Sequence, residues 1–376
     1  MKHQQHLSHS RAPASAAVRM PPEWAPHERT WMAFPPANGT FGPPGSESLD
    51  RARRSWAVVA RTVAAHEPVL MAVSPEDLDE ARALLGDAVS LLPMELDDAW
   101  IRDSGLTFVH DGEGQVHGVD WTFNGWGAQE WAAWDADRQV GRRMAEHLAL
   151  PRRESRLVNE GGGFHIDASG TVLLTETVQL DEGRNPGTAK DEVESEIHLQ
   201  LGTRDAIWLP YGLTRDYEEF GTRGHVDIVA SFTESGALLL HRQDNPEHPD
   251  YIVTRRLREV LESTFDAAGE ALRIIDVPAP QSIRDENNEL NDWSYINHYI
   301  VNGAVILCAF DDPHDDIASE ILAEAYPGRR IEQVDARDIF SFGGGIHCIT
   351  QQQPRAVSSG LPPYRDPHDA LSGAEG

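Results

Sequence analysis

The chain is poor in cysteine and in basic charge, and it lacks an apolar run long enough to cross a bilayer. Two cysteines in 376 residues, Cys308 and Cys348, cannot build a disulfide framework, and such scarcity suits a reducing compartment. Lysine and arginine number 32 against 61 acidic residues, and the resulting net charge of -29 argues against nucleic acid or an anionic membrane as the main partner. A cationic small molecule suits that field better. The longest apolar stretch, Ile300 to Phe310, is interrupted by Asn302 and Gly303 and is too short to span a membrane. The first residues carry Lys2, Arg11 and Arg19 but no apolar core of the length a secretory signal needs. Together these features predict a cytoplasmic protein with neither nucleic acid nor membrane as partner.

Several familiar motifs are missing as well. No Gly-x-Gly-x-x-Gly follows a strand-like run, and there is no P-loop, Gly-x-Ser-x-Gly elbow, His-Glu-x-x-His helix or cysteine pair at zinc spacing. Hard-ligand types do occur in His165-x-Asp167, in His225-x-Asp227 and from Asp311 to Asp316, which keeps a metal hydrolase as a lesser alternative. The last run precedes a helical pattern, where acids meet the N-terminal dipole favourably.

What the chain does have is an alternation of short apolar runs and helix-period segments from end to end. Strands are expected at 68–73, 106–109, 116–121, 171–175, 206–209, 228–232, 237–241, 272–277, 305–310, 331–334 and 347–351. Helices are expected over 51–66, with Ser48 or Asp50 as cap, and over 76–85, 137–148, 192–201, 254–267 and 315–326. No Pro/Gly/Ser linker divides them, so a single α/β domain over 20–355 is the simplest account, with tails at 1–19 and 356–376. Strand-helix-strand units recur at intervals of roughly seventy residues, as a closed set of structural repeats allows.

Chemistry-bearing residues cluster beside glycines next to these strands. Cys348 follows Gly343-Gly344-Gly345-Ile346-His347, a turn that brings backbone close to a ligand and presents a thiol. The competing reading is a small buried hydrophobe. His225-Val226-Asp227, if extended, points an imidazole and a carboxylate to one face; an ordinary polar strand edge is the alternative. Asp103 follows Arg102, whose ion pairing competes for it, although strand alternation would send the two to opposite faces. Glu160 precedes Gly161-Gly162-Gly163 and is either a site residue or a loop carboxylate. A thiol, a histidine and several carboxylates fit a guanidinium substrate. Its carbon is a poor electrophile, so carboxylates matching its planar N–H array must hold it; a soft thiolate can then attack, and a histidine supplies a proton to departing ammonia.

At this point the residues resemble a known family. Met20-Pro21-Pro22-Glu23-Trp24, Asp98 to Gly105, Val119 to Gly127, Glu160 to Asp167, Arg184-Asn185-Pro186, Gly224 to Asp227, Ser294 to Asn297 and Gly344 to Pro354 are similar to the agmatine deiminase family. That family includes bacterial peptidyl-arginine deiminases and is guanidino-modifying. The resemblance implies a pentein-type β/α-propeller with an approximate five-fold repeat, no cofactor, and a cationic guanidino substrate; a homo-oligomer is compatible with it. It implies Cys348 as nucleophile, His225 as acid and then base, Asp103 and Asp227 as clamps on the guanidinium, Glu160 orienting His225 or the substrate, and Trp100 and Gly345 lining the pocket. Agmatine is the leading substrate, with free or peptidyl arginine, amidino transfer and guanidine binding without turnover as alternatives. Three departures bear on the substrate's tail: Gly221 stands where agmatine specialists show aspartate, with Arg223 beside it, Trp293 stands where small residues are common, and His298 where an aromatic is.

Overall fold

The computed structural model describes residues 18–357. Among them the strands form five separate sheets in a mixed α/β fold, and one unit recurs in each sheet. A short strand runs antiparallel to a middle strand, and a helix then returns the chain to an outer strand parallel to the middle one. Thr107–Asp111, Val116–Thr122 and Arg152–Val158 form one such unit. Phe164–Ile166, Thr171–Thr175 and Asp205–Leu209 form the next. Ala230–Phe232, Ala237–Arg242 and Arg273–Pro278 repeat it, as do Tyr299–Val301, Ala304–Ala309 and Arg330–Asp335. The fifth joins the two ends of the chain: Gln351–Pro354 lies antiparallel to His27–Ala33, which pairs parallel with Val69–Val73, and that strand with Val89–Pro93.

The returning helices are amphipathic for a visible reason. In Glu47–Ala64 the buried residues Leu49, Ala52, Trp56, Val59, Ala60 and Val63 recur every three or four positions, so one stripe faces the sheet. Ser46, not Ser48 or Asp50, caps this helix, its hydroxyl accepting from the Leu49 N–H at 3.2 Å. Trp56 is fully buried and meets Trp100 edge-on with ring centroids 5.4 Å apart, which ties the helix packing to the site below. Trp56→Ala would cost about 3–5 kcal/mol of stability by opening a cavity there.

The apolar middle strands match the expected ranges closely, because a strand buried on both faces is a continuous apolar run. Six of the described strands were not expected: Val18–Arg19, His27–Ala33, Val89–Pro93, Arg152–Val158, Phe164–Ile166 and Tyr299–Val301. Arg152–Val158 is largely charged and half exposed at a sheet edge, so its pattern reads as loop. The expected strand 347–351 is corrected: His347 and Cys348 lie in a turn, and the strand starts at Gln351. The proposed tail at 1–19 is shortened, since Val18 and Arg19 pair with Asp111 and His110, while residues 1–17 lie outside the described ones. At the other end Val357 donates its N–H to Gly114 O, and 358–376 lie outside the described residues. Among the described residues no helix is long and apolar enough to cross a membrane.

Candidate active site

Each of the five sheets sends one turn to the same place, the turn that leads into its short strand. Asp103 precedes Thr107–Asp111, Glu160 precedes Phe164–Ile166, Asp227 precedes Ala230–Phe232, Asn297 precedes Tyr299–Val301 and Cys348 precedes Gln351–Pro354. The turns meet around Gly162. A β-carbon on that residue would lie 2.5 Å from His225 Nδ1, 3.0 Å from Asp227 Oδ2 and 3.1 Å from Asp103 Oδ1, so only glycine lets the three side chains converge. Likewise a β-carbon on Gly344 would lie 3.2 Å from Cys348 Sγ and 2.8 Å from Trp100, which places the indole beside the thiol.

Two local expectations are corrected, although the side chains they concern still reach the site. His225 to Asp227 is not extended. Gly224 takes φ 112°, the Asp216 carboxylate accepts from the N–H groups of Thr222, Gly224 and His225, and a single 3-10 turn follows at Val226–Ile228. Asp103 lies not on a strand but in the one-turn helix Ile101–Ser104. Arg102 and Asp103 nevertheless diverge. Arg102 donates to Gln352 Oε1 at 2.8 Å, while Asp103 accepts from Trp126 Nε1 at 2.8 Å and from the Gly162 N–H at 3.1 Å.

The contacts among the gathered groups are short. The Cys348 thiol is 3.5 Å from Asp227 Oδ2 and accepts from Asn297 Nδ2 at 3.3 Å. His225 Nε2 is 3.3 Å from Glu160 Oε2, and its Nδ1 is 3.9 Å from Asp103 Oδ1. Glu160 is fully buried and receives Arg184 Nε at 3.0 Å on both oxygens. Two atoms at the centre, Asp227 Oδ1 and His225 Nδ1, are buried and hydrogen-bond to no described residue. A buried carboxylate oxygen without a donor is costly, and a guanidinium N–H is its natural complement.

Burial and mutual charge set the protonation states. Burial raises Asp103 to about 6, with Glu160 and Asp227 adding to the rise and His225 opposing it. Burial works against a charged His225, but the Asp103, Glu160 and Asp227 carboxylates outweigh it and carry the imidazole up to about 9. Glu160 is raised by burial and lowered more by Arg184 and His225, so it stays below the usual carboxylate range. Asp227 is lowered in the same way, burial being outweighed by His347, His225 and Arg102. Burial, then Asp227 and Asp103, push the Cys348 thiol well above its ordinary value.

Sequence reasoning missed Asn297, which holds the thiol, together with Arg184 and Trp126, which hold Glu160 and Asp103. Asn297 occupies in its own sheet the position that Asp103, Glu160, Asp227 and Cys348 occupy in theirs, so the repeat itself is the signal that could have found it. The hard-ligand runs have ordinary tasks. Asp167 accepts from the N–H groups of Ser169, Gly170 and Thr171, and Asp312 and Asp315 receive backbone N–H groups near the helix His314–Ala325. Among the described residues no group of three or more His, Cys, Asp or Glu is arranged to hold a metal ion.

Of the three departures, only Trp293 lines a cavity. It stacks on Phe310 at 5.0 Å in the wall of a cavity of about 970 Å³. Cys348 is not among the lining residues, but Phe220 and Phe340 are; the backbone of Phe220 lies against Gly343 and the ring of Phe340 against Gly345 of the cysteine turn. The lining carries nine carboxylates against four guanidiniums. Arg223 pairs with Asp181 at 3.1 Å, with over a third of its side chain exposed. His298 is buried behind the site between Tyr295 O and Tyr326 Oη, and burial lowers it to about 4, so it does not face the tail of a substrate.

Known proteins resemble this chain over nearly all of its described residues. The pattern of the Porphyromonas-type peptidyl-arginine deiminase family matches residues 19–354. A Streptomyces coelicolor protein named "Putative agmatine deiminase" is 55% identical over 337 residues, covering 90% of this chain and 99% of its own. The agmatine deiminase of Stutzerimonas stutzeri is 38% identical over 364 residues, covering 91% of this chain and 97% of its own. Among solved structures, the agmatine deiminase of Enterococcus faecalis superposes with a TM-score of 0.85 at 29% identity, covering 92% of this chain and all of that one.

Proposed function

This chain belongs to the Porphyromonas-type peptidyl-arginine deiminase family, and we propose that its site hydrolyses agmatine to N-carbamoylputrescine and ammonia through a covalent adduct on Cys348. The observation that carries the proposal is the buried Asp227 carboxylate, its Oδ1 unbonded and its Oδ2 3.5 Å from the Cys348 thiol, with Asp103 and His225 across Gly162.

The order of events follows from the charges. Asp227 and Asp103 take the guanidinium N–H groups, and the arriving cation offsets the two carboxylates that hold the thiol proton in place. The Cys348 thiol then gives up its proton to solvent, and the thiolate adds to the guanidinium carbon, forming a C–S bond and a tetrahedral adduct. Collapse breaks one C–N bond, and the departing nitrogen takes a proton from the His225 imidazolium, leaving as ammonia. The neutral imidazole next draws a proton from water as its oxygen adds to the S-linked thiouronium carbon. The C–S bond breaks as the added oxygen gives its remaining proton to the departing sulfur, so the ureido product leaves and the Cys348 thiol is restored. Glu160, fixed by Arg184, keeps His225 charged until the proton is needed. Trp100 walls the pocket, and Gly345 lets the turn close against Asn297. The acidic lining of the adjoining cavity favours a substrate that ends in an ammonium over one that ends in a carboxylate.

We also read residues 20–355 as one domain whose five sheets are the blades of a β/α-propeller, a reading supported by the repeated three-strand unit. We place its work in the cytoplasm, which the two free cysteines suit.

Ammonia release from agmatine, free arginine and a blocked arginine peptide, measured side by side with a chelator present, tests the proposal. Release from agmatine by wild type and its loss in Cys348→Ser is the expected result; release from the arginine substrates alone, or chelator-sensitive release, would refute it.

A further inference from the structure

Behind the reacting groups lies a line of buried side chains that the steps above leave unused. His347 Nδ1 is 2.8 Å from Asp227 Oδ2, and its Nε2 is 2.9 Å from Glu23 Oε1. Glu23, His347 and Asp227 are all 5% exposed or less. An ionised carboxylate oxygen accepts hydrogen bonds and cannot donate them, so each ring nitrogen must carry a proton to satisfy its partner. A neutral ring would turn one lone pair toward a buried carboxylate oxygen, with no water to relieve the repulsion.

The surroundings balance such a charge. Arg102 stands beside the ring, its NH1 3.4 Å from Glu23 Oε1 and its Nε donating to His347 O at 3.2 Å. Two carboxylates, Glu23 and Asp227, thus face two cations, Arg102 and an imidazolium. His165 Nε2 lies 3.7 Å from the other Glu23 oxygen. His298, whose charge would oppose that of His347, is held neutral by burial. The backbone fixes the ring's position, the His347 N–H donating to Asn297 Oδ1 at 3.0 Å.

We propose that His347 is held as an imidazolium between Glu23 and Asp227 and is a positioning residue, tying one Asp227 oxygen so that the other faces a guanidinium. The charge state stands on geometry alone; the positioning role rests on reading Asp227 as a guanidinium clamp. Burial and Arg102 work to lower the His347 pKa, but Glu23 and Asp227 outweigh them and raise it. Glu23, raised by burial, is pulled well below its usual range by His347, Arg102 and His165. Tied on one side only, Asp227 keeps a fixed plane, and its free Oδ1 is the atom without a protein donor.

Nitrogen NMR of histidine-labelled wild-type protein at about pH 8, where an ordinary imidazole is neutral, reads the charge without substrate. Both His347 ring nitrogens protonated is the expected result; one bare nitrogen overturns the proposal. Glu23→Gln removes one of the two acceptors. It should discharge the ring at that pH and lower kcat/KM for agmatine about tenfold, mainly through KM, the size of one charge-assisted hydrogen bond. A Glu23→Gln protein with a charged ring and unchanged kcat/KM would also overturn it. Should agmatine prove not to be the substrate, the spectrum of the wild type still decides the charge.

Discussion

The two cysteines share Asn297 as a neighbour and both are buried, but one sits in a strand and the other in a turn. Cys308 lies in the strand Ala304–Ala309 with no exposure, its thiol donating to the backbone oxygen of Asn297 at 3.1 Å. Cys348 sits in a turn, and the side-chain amide of the same Asn297 donates to its sulfur at 3.3 Å. Burial raises both thiols, Cys308 to about 12 and Cys348 well above its ordinary value. Acidity in the free protein therefore does not separate a nucleophile from a core residue. The difference lies in what else raises them. Burial is the largest cause for both, and Cys308 is raised further by Asp315 and Asp227. Cys348 is raised further by Asp227 and Asp103, which a bound cation would neutralise.

The largest expected effect breaks that comparison outright. Cys348→Ser should reduce ammonia release about 10⁴-fold or more, whereas Cys308→Ser should leave kcat nearly intact and cost about 1 kcal/mol in thermal or urea unfolding. Equal losses of activity would sink the assignment. Next in size, Asp227→Asn should lower kcat/KM by about 10²-fold, since it removes a charge aimed at the substrate cation; a steady-state assay that finds it within twofold of wild type would remove Asp227 from the clamp.

The pH profile sharpens the comparison. Asp103 must be ionised to hold a guanidinium, so activity should fall as pH drops through about 6. His225 must be protonated to release ammonia, so activity should also fall as pH rises through about 9. Glu160→Gln removes one carboxylate that holds His225 up and should move the alkaline limb downward; a limb that stays in place would dissociate Glu160 from His225. A smaller shift concerns the thiol alone. Alkylation of Cys348 followed against pH should show a lower apparent pKa with an unreactive guanidine bound, and an unchanged value would contradict substrate-assisted ionisation. Smallest of all, Arg223→Ala breaks a partly exposed ion pair with Asp181. Its expected cost is within about 1 kcal/mol of stability, with kcat/KM changed less than about threefold; a larger loss would return Arg223 to the substrate's path.

Much of the molecule was legible from its residues. The buried middle strands and the apolar helix stripes carry their own periodicity, and Cys348, His225, Asp103, Asp227 and Glu160 stand beside glycines at strand ends. The glycine at 162 illustrates the link, because its missing side chain is what lets three charged groups meet. Less legible was whatever depends on partners distant in sequence. His27–Ala33 and Gln351–Pro354 pair across the whole length of the chain, and Glu23 reaches His347 the same way. Local alternation also misled at His225 and Asp103, where a left-handed glycine and a one-turn helix replace the extended backbone that the alternation argument assumed. His298 looked like a pocket residue by position and is a neutral core histidine by environment.

The central claim is that Cys348 becomes bonded to the guanidinium carbon during turnover. Enzyme mixed with agmatine, quenched in acid during turnover and digested for mass spectrometry, tests it directly. The account predicts an S-linked amidino adduct on the peptide carrying Cys348 and none on that carrying Cys308. Full ammonia release with Cys348 unmodified at every quench time, and retained by Cys348→Ser, would contradict it.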